Sequence, residues 1–156
     1  MAIRCAAKAI IVKQGCILLN KCVQDDGSVY YDLPGGGQNL YESMEEAMVR
    51  EVKEETGYEV EVRRCVALAE EIYTNPDLRA QFPDYTHRIL HIFLAEITQE
   101  EREKPTEKDY QMEESEWIPL EEVASLSRLC PDRLRERVME VMEAENVVFL
   151  GTEYID

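Results

Sequence analysis

Apolar runs separated by short polar segments mark the regular elements of this chain. Residues 3–12 and 16–22 are rich in Ile, Val, Leu and Ala and flank the turn residues 13–15, which predicts two strands joined as a β-hairpin. Further strand-like runs cover residues 58–69 and 88–98, with a polar loop between them. Short strands are also predicted at 117–118, at 147–150 and in 30–37, where a strand runs into a glycine loop.

The clearest helical pattern covers residues 43–56. Ser43 and Glu46 form a capping-box signature at its start, and Gly57 is a stop signal just after its end. Two more helices are predicted at 120–126 and 131–143, and an exposed polar loop at 99–116. Because helices alternate with strands and the hairpin excludes a purely parallel sheet, the pattern predicts a single mixed α/β domain over residues 1–156.

The composition is that of a globular chain with a strong acidic bias. Its 156 residues include 33 acidic and 17 basic side chains, which gives a net charge of −16. A surface of this charge repels nucleic-acid phosphates, so no nucleic-acid polymer is expected as a partner. No apolar run approaches the ~20 residues of a membrane helix and no secretion signal is seen, which favours a cytoplasmic protein with no membrane partner. The five cysteines include no C-x-x-C pair and are expected to be reduced.

Three glutamates continue the apolar face of the predicted helix 43–56 into its last turns. At 100° per residue, Glu51, Glu54 and Glu55 fall within an arc of roughly 100°. Like charges this close disfavour a helix unless water or a counter-charge screens them. Two interpretations follow: either this end of the helix is solvated and the acids are ordinary surface residues, or a hard divalent cation such as Mg²⁺ neutralises them.

Arg50 and the glycines before the helix also allow two interpretations each. Arg50 is spaced for a surface ion pair with Glu46 or Glu54, or it orients a carboxylate that binds a ligand. The Gly35–Gly37 segment forms either a plain turn or a backbone that can approach a phosphate or a metal without a Cβ in the way. A glycine loop followed by a carboxylate-bearing helix favours the ligand-binding interpretations.

These residues together resemble a known motif. The segment from Gly36 to residue 58 is similar to the complete Nudix box: five residues separate Gly36 from Glu42, and seven more separate Glu42 from residues 50–58. The preceding residues 33–35 (LPG) are typical of the surroundings of that box. The resemblance implies an α/β fold, a Nudix-type α/β/α sandwich with a mixed β-sheet. It also implies metal-dependent hydrolysis of a pyrophosphate bond in a nucleoside diphosphate derivative or a nucleoside triphosphate. One position departs from the family pattern, because Tyr41 stands where a glycine is frequent.

The resemblance further implies a cofactor and individual residue roles. Mg²⁺ or Mn²⁺ would neutralise the substrate phosphates and lower the pKa of a bound water. Glu54 or Glu51 would take the proton of that water. The implied residues are the metal ligands Glu51, Glu54, Glu55 and Gly36, the catalytic residues Glu54, Glu51 and Arg50, and the loop–helix supports Gly37 and Glu42. A further acid is often recruited from a distant loop, here one of Glu100, Glu101, Glu103, Glu107, Glu113, Glu114 and Glu116.

Substrate contacts are less constrained by the sequence. Arg4, Lys8 and Arg88 lie on strand-like segments, where each either faces a phosphate or is an ordinary surface charge. His87 and His91 are expected on one sheet face, but two histidines without a third ligand make a weak zinc site. The aromatic residues that either stack on a base or simply pack are Tyr31, Tyr73 and Phe82.

The sequence is compatible with more than one function. The first is a Nudix pyrophosphohydrolase, and the second is a catalytically silent Nudix-fold module that binds a nucleotide and regulates another process. An isomerase of the isopentenyl diphosphate type is disfavoured, because the Cys/Glu pair it needs is not evident. Tyr73 and Pro76 match the family markers of two different substrates, dinucleoside polyphosphates and ADP-ribose, so the substrate stays open. The expected partner is a small-molecule nucleotide, and whether the chain forms a homodimer is also open.

Overall fold

The computed structural model describes residues 2–156, which form nine strands and three α-helices. The helices are α1 (Met44–Thr56), α2 (Pro76–Gln81) and α3 (Val138–Glu143). The strands are β1 (Arg4–Lys13), β2 (Cys16–Val23), β3 (Val29–Asp32), β4 (Gly35–Gly37), β5 (Val60–Tyr73), β6 (His87–Ile97), β7 (Met112–Pro119), β8 (Leu129–Cys130) and β9 (Val148–Ile155).

The strands form one mixed sheet. Its order is β8-β3-β2-β1-β6-β5-β9, with β4 paired to β1 and β7 paired to β2. The pairs β1–β6, β5–β9 and β3–β8 are parallel, and the remaining pairs are antiparallel. This arrangement confirms the predicted mixed α/β fold. It also confirms the predicted hairpin, since Val12 of β1 faces Ile17 of β2.

The central strand β1 is buried on both faces, which explains why its sequence is apolar without alternation. Ala7, Ala9 and Ile11 belong to a core beneath α1. Ala6 and Ile10 belong to a second core on the other side of the sheet. From α1 the buried contacts are Ala47, Met48 and Val52, and around α3 they are Leu134, Val138 and Val141. Full burial of side chains the size of Met48 and Val52 stabilises such packing by about 1.5–3 kcal/mol each.

Two predicted helices are wrong in extent or type. Leu120–Ser125 winds as a 3₁₀-helix, and the predicted helix 131–143 is interrupted, since only Asp132–Leu134 (3₁₀) and α3 are helical. Arg135 explains the interruption. Its guanidinium donates to the Asp132 carboxylate and to the backbone carbonyl groups of residues 124 and 126. These contacts hold the turn against the preceding segment, so the helix does not continue through it.

Other differences lie where the chain is polar but ordered. The predicted exposed loop 99–116 ends early because β7 begins at Met112, pairs with β2 and buries Met112 and Ser115 while acids face solvent. The polar loop after β5 contains α2, which begins with an Asn75 cap and Pro76. Within residues 2–156, no helix has the length and apolar character needed to cross a membrane.

Candidate active site

Helix α1 has the predicted start and end. The Ser43 hydroxyl accepts the Glu46 N–H, and the Glu46 carboxylate accepts the Ser43 N–H, which completes the capping box. At the other end Gly57 has a φ of 77°, a left-handed conformation that glycine adopts without strain. The helix therefore holds its last two turns, which contain the candidate carboxylates, in a defined position.

Arg50 is the centre of a charged network at the helix. Its Nε and Nη2 bind the two Glu42 oxygens at 2.7 and 3.0 Å, and Nη2 also donates to the Gly37 carbonyl at 3.1 Å. Its Nη1 donates to Glu51 at 2.8 Å and to Glu54 at 3.3 Å. The hydrogen bond from Arg50, with a second from a backbone N–H, lowers the pKa of the Glu42 carboxyl to about 2. Arg50 thus joins the loop to two of the candidate metal ligands.

The glycine strand β4 leaves room for one of these carboxylates. A Cβ on Gly36 would lie 2.5 Å from the Glu51 Cδ, so no larger residue fits without moving the carboxylate. The loop that follows β4 contains Tyr41, whose φ of 69° is in the region that glycine favours. The backbone conformation at Tyr41 therefore favours glycine, the residue that is frequent at this position in the family.

Glu55 points away from the Arg50 network into the protein. Its side chain is buried, and one carboxylate oxygen accepts hydrogen bonds from the Asn20 amide at 2.7 Å and the Gly35 N–H at 3.1 Å. Ser115 in turn donates to the Asn20 carbonyl oxygen at 2.9 Å. Burial raises the pKa of Glu55 to about 8, although the nearby Lys8 charge opposes this shift. Glu55 therefore ties the end of α1 to β2, β4 and β7.

The structure brings together two of the three predicted carboxylate ligands. Glu51 and Glu54 converge on one guanidinium nitrogen beside Gly36, whereas Glu55 lies with Asn20. Across residues 2–156, no three Asp, Glu, His or Cys side chains are placed together as a metal-binding group. The chemistry of the donors still suits Mg²⁺ or Mn²⁺, because converging carboxylates and an unobstructed glycine backbone offer only hard oxygen ligands.

The loop between β6 and β7 supplies an acid near Glu54. The backbone N–H groups of Thr106 and Glu107 both donate to the Glu54 carbonyl, at 2.9 and 3.0 Å, and Glu103 N–H donates to Gly57. Partial burial raises the pKa of the Glu54 carboxyl, and the Glu107 charge adds to this effect while Arg50 opposes it. The sequence did not distinguish Glu107 from its neighbours, since only the fold places this loop against the end of α1.

The three basic residues expected to face a phosphate have different surroundings. Lys8 is buried and donates to Asp32 at 3.1 Å and to two backbone carbonyl groups, those of Leu33 and Gly35. Arg88 pairs with the buried Glu71. The side chain of Arg4 instead stacks over an aromatic ring, that of Tyr85.

The other candidate residues make ordinary contacts. Tyr31 donates to Glu116 at 3.3 Å, and His87 contacts Glu70 at 2.9 Å. Phe82 lies against Tyr110 with ring centroids 6.5 Å apart. The remaining two residues are the half-buried Tyr73 and His91, whose Nδ1 is buried without a hydrogen-bond partner. In the described part of the chain no group of ligands supports zinc at the histidines.

Comparison with known proteins identifies the fold and the motif together. The sequence pattern of the NUDIX domain matches residues 3–139. The chain belongs to the Nudix family. Over 72 residues it is 39% identical to an ADP-ribose pyrophosphatase of Methanocaldococcus jannaschii, a match that spans 46% of this chain and 40% of that relative.

Solved Nudix structures superpose on nearly the whole chain. An ADP-ribose pyrophosphatase of Streptococcus suis has a TM-score of 0.63 at 23% identity, with 95% of this chain and 99% of that chain covered. A MutT protein of Bacillus halodurans has a TM-score of 0.67 at 21% identity, with 97% and 90% covered. At these identities the structural similarity establishes the Nudix fold.

Proposed function

We propose that this Nudix protein hydrolyses a pyrophosphate bond in a nucleoside diphosphate derivative or a nucleoside triphosphate, with Mg²⁺ or Mn²⁺ as cofactor. The observation that supports this most directly is the convergence of Glu51 and Glu54 on one nitrogen of Arg50, next to the glycine strand β4. The related ADP-ribose pyrophosphatase and the MutT fold support a nucleotide-derived substrate.

Glu51 and Glu54 would hold the cation directly, with the Gly36 carbonyl as a further oxygen ligand. Glu55 would instead support the end of α1 through its hydrogen bonds with Asn20 and Gly35. When bound, the cation supplies charge neutralisation for the substrate phosphates and acidifies a bound water. Such help is required here, because a protein with a net charge of −16 otherwise repels a polyanionic substrate. Arg50 contributes by restricting both carboxylates to the positions that its guanidinium allows.

Glu54 is the better placed of the two carboxylates to accept the water proton. Its contact with Arg50 is 3.3 Å, longer than the 2.8 Å contact of Glu51, and 27% of its side chain is exposed. It is therefore less tightly engaged and more open to water than Glu51. Glu107 would act beside Glu54 by fixing its backbone and by adding a negative charge that favours proton uptake.

The test is a substrate panel of ADP-ribose, a dinucleoside polyphosphate and nucleoside triphosphates, with Mg²⁺, with Mn²⁺ or with a chelator. We expect hydrolysis of at least one nucleotide with metal and none with chelator. Glu54→Gln should lower kcat by roughly 10²–10⁴-fold, the range for loss of a general base. Glu45→Gln is the matched control, because Glu45 lies exposed in the first turn of the same helix.

Two results would count against the proposal. Unchanged turnover in Glu54→Gln, or turnover that survives the chelator, would exclude the metal–carboxylate mechanism. Tight binding of a nucleotide without turnover under either metal would favour the regulatory nucleotide-binding module instead.

A further inference from the structure

Arg4 differs from the other buried or half-buried cations near β4. The ammonium of Lys8 has three N–H donors, and all three are used by Asp32, Leu33 and Gly35. Arg88 is neutralised by Glu71. Among the residues that the structure describes, Arg4 makes neither an ion pair nor a hydrogen bond through its guanidinium. Its charge is therefore available to a ligand.

Tyr85 fixes the position of this free charge. The Arg4 Cζ lies 4.5 Å from the centroid of the Tyr85 ring, a distance typical of a cation–π contact. A cation–π contact uses no N–H donor in a hydrogen bond, so the donors of the Arg4 guanidinium stay available for a planar or tetrahedral oxyanion. An arginine held in this way is preorganised for phosphate at a lower entropic cost than a mobile one.

The glycine strand connects Arg4 to the candidate catalytic residues. A Cβ on Gly37 would overlap the Arg4 guanidinium, whereas a Cβ on the adjacent Gly36 would overlap Glu51. Successive residues of a strand point to opposite faces. Arg4 and Glu51 therefore pack directly against the two sides of β4, and the missing side chains leave space for both.

Exposed aromatic rings border the Arg4 side of this strand. We define the aromatic rim as Phe82, Tyr85 and Tyr110, of which 40%, 52% and 71% are exposed. The Tyr85 N–H donates to the Phe82 carbonyl at 3.0 Å, so one turn holds both rings, and Tyr110 joins Phe82 from the β6–β7 loop. Aromatic faces beside a free guanidinium suit a ligand that has both a planar ring and an anionic group.

We propose that Arg4, positioned by Tyr85, binds a phosphate of the nucleotide substrate on the side of β4 opposite to Glu51, with the nucleobase on the aromatic rim. This inference rests on the proposed function and extends it by assigning the anchor of the nucleoside phosphate. Tyr85 is a positioning residue for the phosphate contact, since its ring holds Arg4, and its exposed remainder belongs to the aromatic rim. The ligand class is a nucleoside phosphate and not inorganic pyrophosphate, because the latter has no ring for the rim.

The first test measures binding of ADP, adenosine and inorganic pyrophosphate by calorimetry with a chelator present. Arg4→Gln should weaken ADP binding by roughly ten- to a hundredfold, the range for a lost hydrogen bond to a charged group, and leave adenosine binding unchanged. Tyr85→Leu should weaken ADP binding several-fold, and Tyr85→Phe should restore it because the ring is retained. Wild type should bind ADP more tightly than pyrophosphate.

The matched control is Arg63→Gln, since Arg63 is an exposed arginine of β5 that pairs with Glu96. With the nucleotide that proves to be hydrolysed, Arg4→Gln should raise KM by a similar factor and leave kcat within about twofold. Urea unfolding midpoints establish that each variant is folded.

Three outcomes would overturn the assignment of Arg4 as the phosphate anchor: unchanged ADP binding in Arg4→Gln, an equal loss of ADP affinity in Arg63→Gln, or pyrophosphate bound as tightly as ADP. The calorimetric measurement does not require the protein to hydrolyse the nucleotide. A wild-type protein that binds ADP through Arg4 but hydrolyses nothing would therefore contradict the proposed hydrolysis and support the anchor.

Discussion

At the scale of single residues, Arg50 is the most informative side chain. Sequence spacing allowed it a simple pair with Glu46 or Glu54, but in the structure Glu46 caps the helix and Arg50 contacts two other acids, Glu42 and Glu51, in addition to Glu54. One guanidinium thus offsets the mutual repulsion of three carboxylates. The interpretation of Arg50 as a residue that orients neighbouring carboxylates agrees with these contacts.

The pairing of Glu42 with Arg50 has a defined pH dependence. Because the folded-state pKa of Glu42 is lowered from its ordinary 4.5 to about 2, the pair stabilises the fold above pH 4.5 and is lost as the pH falls toward 2. We expect Glu42→Gln to lower the urea midpoint at pH 6, and this difference from wild type to shrink steadily between pH 4.5 and pH 3. Glu45→Gln should show no such convergence, and a difference that is constant with pH would contradict the prediction.

At the scale of elements, the end of α1 depends on a segment far along the chain. The β6–β7 loop donates three backbone N–H groups to the carbonyls of Glu54 and Gly57, which lack helical partners. These N–H groups partly neutralise the partial negative charge at the C-terminal end of α1, and the hydrogen bonds also hold the β6–β7 loop in place. The position of Glu54 is therefore set by tertiary contacts in addition to the helix itself.

Alanine substitutions at two glycines can distinguish the stability cost of backbone strain from the cost of disturbing the contact between α1 and the β6–β7 loop. Gly57 and Gly15 have similar φ values, 77° and 75°, but a Cβ on Gly57 would overlap the Glu103 carbonyl, whereas a Cβ on Gly15 meets nothing within 4 Å. Gly15→Ala should cost about 1 kcal/mol from strain alone. Gly57→Ala should cost more and also make residues 99–109 more sensitive to limited proteolysis. Equal urea midpoints for the two variants would show that the loop contact contributes nothing.

At the scale of the whole molecule, two cores on opposite faces of one sheet protect the interior from solvent. Cys22 and Cys130 are buried, whereas Cys5, Cys16 and Cys65 are partly exposed. Burial raises the pKa of the Cys22 thiol to about 12 and raises that of Cys130 as well. The thiolate, which is the reactive form, is therefore scarce at both buried positions near neutral pH.

Thiol labelling can test whether the sheet around these two buried cysteines, on β2 and β8, opens only by global unfolding. With a disulfide reagent at pH 8, Cys22 and Cys130 should stay unmodified in the native protein and react only in denaturing urea, and peptide mass spectrometry would identify the sites. Cys16 is the internal control for reagent activity, since it is partly exposed. Native labelling of Cys22 at the rate of Cys16 would mean that the sheet opens locally near β2.

Local periodicity, capping residues and fixed spacing were sufficient to predict the hairpin, the capped helix α1, the mixed α/β class and the Nudix motif from the amino-acid sequence. It could not reveal that Glu55 turns inward to Asn20 or that Glu107 reaches Glu54. It also left Arg4 equivalent to Lys8. These points required the folded chain, because the direction and partner of a charged side chain depend on what distant strands and loops place around it.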